Sequence, residues 1–413
     1  MQAPQSYQEA GSPASTGIMP PEPDTPRTAF LRHIITPEYP PQAGGVSDYT
    51  FLIAQGLVEE GETVHVWCPG AAPTQAEGVV AHPDFGRFSP ADLRRVDEQL
   101  NRFPAPRHIL MQWVPHGYGY RSMNLRFCWW LNRRVHRHGD RLQIMAHEAY
   151  LGFRADSLGQ SAVAVVHRLM TALLMRAAER VWVSIPGWEA CLRPYAFAKR
   201  VPFHWLPVPS NIPVVNDPIG IRAIRQRYVA GDGLLLGHFG TFGAITTTIL
   251  EPLLMQLVSE NINQIVLLMG LGSEEFRREM VHKEPRLETL LRATGPLESR
   301  DLSRHLSACD LLIQPYPDGV SGRRSSFMAG LSHGKAMVTT VGRLSEDYWK
   351  SSGAALFAPA GDIPTLLNLI RRLCGDPSER SRLQEAGRSL YQERFDVKHT
   401  IAALHSAMRT TED

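Results

Sequence analysis

The residues with the clearest chemical capacity lie between Ala308 and Thr340, in the stretch ACDLLIQPYPDGVSGRRSSFMAGLSHGKAMVTT. Arg323 and Arg324 are adjacent permanent cations, each able to grip two phosphate oxygens in a fork. They precede Ser325 and Ser326, good N-cap residues for a helix over about Phe327 to His333, where free backbone N–H groups and the helix dipole favour an anion. Asp318 opens the same loop and suits two roles, orienting a hydroxyl or capping the turn. The pattern predicts a phosphate cradle before Ser325, against the plainer reading of two solvated surface arginines.

Further candidates fall after other apolar runs. The loop PEYPPQAGGVSD ends in Gly44 and Gly45, where a residue without a side chain lets a ligand approach the backbone, and in the helix-cap candidates Ser47 and Asp48. His147 and Glu148 follow QIMA; a histidine at a strand end is either structural or a site residue. Small-residue loops recur later as Gly240-Thr241-Phe242-Gly243, Gly270-Leu271-Gly272-Ser273 and Gly295-Pro296-Leu297. No C-x-x-C pair or other metal-ligand spacing is visible.

The elements that must position these residues alternate. Apolar runs near 30–36, 63–67, 108–114, 142–146 and 181–185 read as strands, separated by helical patterns such as 49–60, 123–138 and 158–179. A second array starts at Leu234 and continues through 265–269, 289–294, 311–314 and 336–340. Strands alternating with helices imply doubly wound parallel sheets with ligand loops at the carboxyl edges of the strands. LPVPSNIPVVNDP, with four prolines and no helical period, is the natural linker. The expected organisation is therefore α/β with two Rossmann-like domains: a disordered tail over 1–28, a first domain over 29–205, a linker over 206–218, a second domain over 219–385, and a C-terminal helix over 386–413 returning to the first domain.

Composition narrows the class. Lys plus Arg is 43 and Asp plus Glu is 41, a formal net charge of only +2, which argues against a nucleic-acid partner. The tail lacks a basic and an apolar region in the order a signal peptide needs, and no apolar run approaches a membrane span. Five scattered cysteines point to free thiols in a reducing cytoplasm. The segment RSMNLRFCWWLNRRVHRHGDR holds six arginines beside Trp129 and Trp130. It reads either as a solvated helix with its tryptophans inward or as a contact for an anionic membrane surface, which would put the protein at the inner face of the membrane, or for an acidic acceptor.

The stretches PQAGGVSDYTFLIAQGLVEEGETVHVW, IMAHE, LLLGHFGTFG, LLMGLGSEEF, ATGPLESRDLSRHLSACDLLIQPYPDG and MAGLSHGKAMVTTVGRLSE together resemble GT-B glycosyltransferases, in detail glycosyltransferase family 4. The resemblance covers nearly the whole chain after the tail. It implies a retaining, metal-independent transferase without a cofactor, taking a nucleotide diphosphate sugar in an interdomain cleft and passing the sugar to a glycan, lipid or small-molecule acceptor, as in polysaccharide biosynthesis. On it, Gly44 and Gly45 lie near donor phosphates and acceptor, His147 faces the transferred sugar, Gly295 and Leu297 meet the base, and the loop 113–121 meets the acceptor.

Two departures stand out. The family places an arginine and a lysine after the first strand of the second domain, where this chain has Thr241-Phe242-Gly243-Ala244-Ile245-Thr246. It also carries two glutamates eight positions apart; Asp318 fits the first with a shorter side chain, and the second falls near Ala329. Arg323 and Arg324 are then expected to replace the missing cations. A nucleotide-sugar epimerase or hydrolase, or a degenerate homologue partnering an active transferase, are the alternatives.

Overall fold

The computed structural model describes residues 30–70, 72–197, 199–259 and 264–409. The expected tail over 1–28 lies outside them. The first sheet contains β1 (Leu31–Ile35), β2 (Thr63–Trp67), β3 (Val79–His82), β4 (His108–Trp113), β5 (Arg141–Ala146), β6 (Arg180–Val183) and β7 (Phe203–Trp205). All its pairings are parallel, in the order β3-β2-β1-β4-β5-β6-β7. The second contains β8 (Leu234–Phe239), β9 (Gln264–Met269), β10 (Leu291–Ala293), β11 (Leu311–Gln314), β12 (Ala336–Val341) and β13 (Leu356–Pro359), again parallel, in the order β10-β9-β8-β11-β12-β13. Helices cover both faces of such a sheet, so inner strands read as continuous apolar runs; β11, Leu-Leu-Ile-Gln, is buried at every position. Strand order reverses between β1 and β4 and between β8 and β11, which places a ligand crevice at the carboxyl edge of each sheet.

Six helices matter below: α1 (Gly45–Glu59), α2 (Pro90–Leu100), α3 (Leu125–His138), α4 (Leu158–Ala177), α5 (Ser325–Ser332) and α6 (Val397–Arg409). Several elements differ from expectation. The run 289–294 is split into a helical turn, Leu287–Leu290, and the short β10. β3 and β13 are half-exposed edge strands whose alternation is too short to register in sequence. α1 begins at Gly45, four residues before the expected Tyr49, for a reason the site makes plain.

The last helix packs on the first lobe. Ile401 lies against Gly56 of α1 so closely that a Cβ there would stand 2.7 Å from its Cδ1. Below it, buried Arg32 donates a fork of hydrogen bonds to buried Glu62 (2.6 and 2.9 Å) and a further one to the Leu404 carbonyl at 3.0 Å. His405 Nδ1 meets the same carboxylate at 2.9 Å. A buried pair so fully bonded ties α6 to β1 and β2, since losing either partner would strand a charge.

Candidate active site

The loop from Tyr316 to Arg324 follows β11 and is fastened on one side. Gly319 has φ +85, a left-handed conformation that favours glycine, and a Cβ there would lie 2.2 Å from Gly342 N. The backbones of 318–320 and 342–345 therefore touch. Asp318 faces Arg343 at 2.9 Å, so its carboxylate joins two loops and keeps Arg323 Nη2 at 3.9 Å. Beneath the loop, Glu346 accepts from the Gly322 N–H (2.9 Å) and from Trp349 Nε1 (2.6 Å). Burial raises the Glu346 carboxyl above the usual carboxylate range, opposed by those hydrogen bonds. Nothing in the sequence marks Glu346 out; it follows Asp318 by 28 positions and reaches the loop only through the turn after β12. Ala329, where the second family glutamate would fall, is buried within α5.

α5 starts at Ser325, not at the expected Phe327; Arg324 takes the N-cap position and no side chain caps the helix. Ser325 is thus the first helical residue rather than a cap, and the Ser326 hydroxyl turns to the Tyr316 hydroxyl at 2.8 Å. Among the described residues no acceptor meets the Ser325 and Ser326 N–H groups. The two arginines stand over this open start. Arg324 lies on the Tyr316 ring, 4.6 Å from its centroid, and makes no ion pair among the described residues. Arg323 crosses to the other lobe, with Nη1 3.4 Å from Glu148 Oε1 and its guanidinium 5.8 Å from the Trp188 ring centroid. Both Nε–H groups are buried without an acceptor. Burial first, then the neighbouring Arg324 charge, pull Arg323 below the ordinary arginine range. Two cations side by side, partly desolvated and under-bonded, form a seat that an anion would complete.

The first lobe closes the opposite side. Glu148 follows β5 and shares its carboxylate between Arg323 and His116, 3.5 Å away. His147 is buried, with Nε2 2.8 Å from Gln112 Oε1 and its ring edge-on to Tyr49. Its carbonyl accepts from the Ser184 hydroxyl (3.1 Å) and Trp188 Nε1 (2.9 Å). Burial pulls the imidazole down to about 3, so at neutral pH it is an uncharged hydrogen-bonding group and a weak base. Glu148, placed beside His147 at the strand end by the sequence, does reach the cleft, whereas Trp188 is a cleft residue that the sequence did not single out.

The Gly44-Gly45 loop differs from expectation. Glu38 reaches back to α1, and its Oε1 accepts from the N–H groups of Val46 (2.9 Å) and Ser47 (3.0 Å). This carboxylate starts the helix at Gly45 and makes Ser47 and Asp48 ordinary first-turn residues. A Cβ on Gly44 would lie 2.2 Å from Glu38 Oε1, so Gly44 is small to admit the chain's own carboxylate. Gly45 has open space around it.

In the second lobe, Gly240, Gly270 and Gly295 meet at the carboxyl edge. Gly270, with φ +120, comes so near Gly240 that a Cβ would lie 2.2 Å from the Gly240 oxygen, and its N–H donates to the Gly295 carbonyl at 3.1 Å. Thr241 and Gly243 are exposed, Phe242 packs against His238 and Phe276 (both centroids at 5.4 Å), and Leu297 is half-buried behind them. The loop brings no cation. His238, which the sequence did not flag, donates Nδ1–H to the Ile313 carbonyl (2.8 Å), leaving Nε2 a buried acceptor without a partner at this edge. Burial lowers it to about 4.

No family model matches the sequence, and no curated protein matches it. Solved structures do. Sucrose-phosphate synthase from Thermosynechococcus elongatus superposes with a TM-score of 0.73 at 16% identity, over 92% of this chain and 99% of that one. Anabaena HepE in complex with UDP and glucose gives 0.66 at 14% identity, over 92% and 99%. A trehalose-6-phosphate structure from E. coli, bound with UDP-2-fluoro glucose, gives 0.62 at 10% identity, over 91% and 98%. Two Rossmann-like lobes facing across a cleft in this arrangement constitute the GT-B fold.

Proposed function

We propose that this chain is a retaining, metal-independent glycosyltransferase that moves a sugar from a nucleoside diphosphate sugar to a glycan, lipid or small-molecule acceptor. The observation that carries the reading is the uncapped start of α5 beneath Arg323 and Arg324, with both Nε–H groups buried and unpartnered. A departing nucleoside diphosphate gathers negative charge on its oxygens, and preorganised N–H groups and guanidinium forks stabilise that charge most where water is excluded. UDP, UDP-glucose and UDP-2-fluoro glucose named for similar folds support a nucleotide-sugar donor.

In this reading Arg324 and the α5 amides hold the diphosphate, and Arg323 leaves Glu148 to join them. The glycine edge at 240, 270 and 295 takes the base and ribose by close backbone approach. His147, neutral, bonds a sugar hydroxyl through Nδ1 rather than moving a proton. Asp318, held by Arg343, fixes the height of Arg323. Glu148, released on donor binding, faces the acceptor side of the cleft.

Replacing both arginines (Arg323→Ala, Arg324→Ala) should weaken UDP binding by at least about 100-fold in calorimetry, since each charge-assisted contact contributes roughly 1.5–3 kcal/mol. Near-wild-type affinity would reject the seat. The competing reading, a catalytically degenerate partner protein, draws on the cation-free loop 241–246; donor turnover by the purified chain, retained in chelator, removes it.

A further inference from the structure

We infer that the outer face of α3 and α4, with the loop 149–157, docks on an anionic phospholipid bilayer. The starting observation is a helix at odds with its surroundings. α4 is long and apolar enough, by length and composition, to cross a membrane, which corrects the expectation that no run approaches that length; yet only 33% of its most apolar window is buried. It does not span. His167, on its inner face, bonds the Ser122 carbonyl (2.8 Å) and the Leu151 N–H (3.3 Å), and the Asn132 amide of α3 donates to the Leu173 carbonyl at 2.9 Å.

Apart from Arg176 in its last turn, the large side chains that α4 leaves outside are apolar. Leu158 is 89% exposed, Leu169 52% and Val165 48%, on one side of the helix at offsets of seven and four. Phe153, 59% exposed, stands beside them on the loop, with the Arg168 guanidinium 4.0 Å from its ring centroid. α3 joins β4 to β5 and α4 joins β5 to β6, successive crossovers in one direction, so the two helices share one face of the sheet. α3 contributes exposed Arg126, Trp129, Arg133 and Arg137, with Arg133 over the Trp129 ring at 5.5 Å. Beside Trp129 a notch of about 350 Å³ separates α2 from α3, lined also by Arg94, Arg126 and Arg133. None of those three makes an ion pair among the described residues.

Charge decides the occupant. Residues 121–178 hold nine arginines and three acidic residues, in a chain whose whole net charge is +2. Asp140 is consumed by Arg107 and Arg134, and Asp156 by Arg154. An apolar ridge of separate large side chains, flanked by arginines and an exposed tryptophan, matches a headgroup layer: the ridge enters the acyl boundary, Trp129 sits at the interface, and the guanidinium groups meet lipid phosphates. A second copy of the chain on the same patch would set arginine against arginine. The loop that carries Phe153 begins at Glu148, so the docked face and the cleft are joined by nine residues of chain.

The test uses the full chain and extruded vesicles of phosphatidylcholine with or without phosphatidylglycerol, read by co-sedimentation. Wild type should partition to the phosphatidylglycerol vesicles at least about 10-fold more strongly than to phosphatidylcholine alone, and lose that preference in high salt. Phe153→Glu, Leu158→Glu and Leu169→Glu together should lower the partition coefficient at least about 10-fold. Arg126→Gln, Arg133→Gln and Arg137→Gln together should lower it about 100-fold. Unchanged melting temperatures show that both triple variants fold. No anionic preference in wild type, or undiminished binding by the triple variants, would overturn the inference. So would a dimer in analytical ultracentrifugation that the same substitutions dissolve while vesicle binding is absent. None of these outcomes depends on the donor site.

Discussion

The starts of α1 and α5 each follow a strand beside the topological switch of its sheet, β1 in the first lobe and β11 in the second, and they are finished in opposite ways. At α1 the chain supplies its own anion: Glu38 accepts from Val46 and Ser47, and Gly44 is cut back to let it in. At α5 no side chain caps the helix and two arginines overhang it. The same backbone electrostatics serve stability in one lobe and leave open N–H groups in the other. Glycine at a helix start is therefore not by itself a ligand signal; what the neighbouring loop brings to it decides the outcome.

The largest effect should come from making the second start resemble the first. Arg324→Glu would place a carboxylate over the α5 amides and should reduce UDP affinity by more than about 100-fold, with little change in melting temperature because Arg324 makes no ion pair among the described residues. Binding that survives this reversal would show that the two starts do not differ in function. The converse change is milder. Glu38→Ala removes two hydrogen bonds and a favourable charge from α1 and should lower stability by roughly 1–2 kcal/mol, measured by denaturant unfolding. Gly44→Ala should destabilise the wild type by displacing Glu38, yet cost less in the Glu38→Ala background. Additive effects would mean that the 2.2 Å approach is not what keeps position 44 small.

The smallest effect is a pH slope that both lobes share. His147 in the first lobe and His238 in the second are buried neutral, lowered to about 3 and about 4 mainly by desolvation. Well above pH 6.5 each imidazole is neutral folded or unfolded and adds no slope. As pH falls below 6.5 the unfolded chain binds protons that the folded chain refuses, so stability declines progressively toward pH 4 and below. Each residue should account for about 0.7 kcal/mol lost at pH 6 relative to pH 7. His147→Asn and His238→Asn should each flatten the melting-temperature profile between pH 7 and 6 by a similar amount; a profile already flat in wild type would contradict the neutral-histidine account.

Much of the fold was legible because parallel strands declare themselves. β2 and β11 were delimited as observed, since Thr-Val-His-Val-Trp and Leu-Leu-Ile-Gln are short apolar runs bounded by turn residues. The arginine loop was legible too, because cations, glycine and helix start are contiguous. The rest depended on contacts between distant residues. That Glu38 fills the α1 start, that Arg323 meets Glu148 and Trp188 across the cleft, and that Arg343 holds Asp318 are facts of lobe and loop placement, separated by 8 to 175 positions. The helix boundary at Ser325 was misplaced by two residues because serine is a frequent cap, whereas here the backbone conformation of Arg324 takes that position.

The chain passes between the lobes twice, first through the proline-rich segment after β7 and again through the π-turn Tyr391–Phe395 that leads into α6. The two passages touch, with the Ser210 N–H donating to the Tyr391 hydroxyl at 3.2 Å. A body pinned at two neighbouring points swings like a door about the line through them and does not slide. Val208 in the first passage donates to the Gly322 carbonyl at 2.7 Å, which puts the arginine pair beside the pin. Points near a pivot travel least, so an opening motion would sweep the outer rims of the two lobes through long arcs while the arginines scarcely shift.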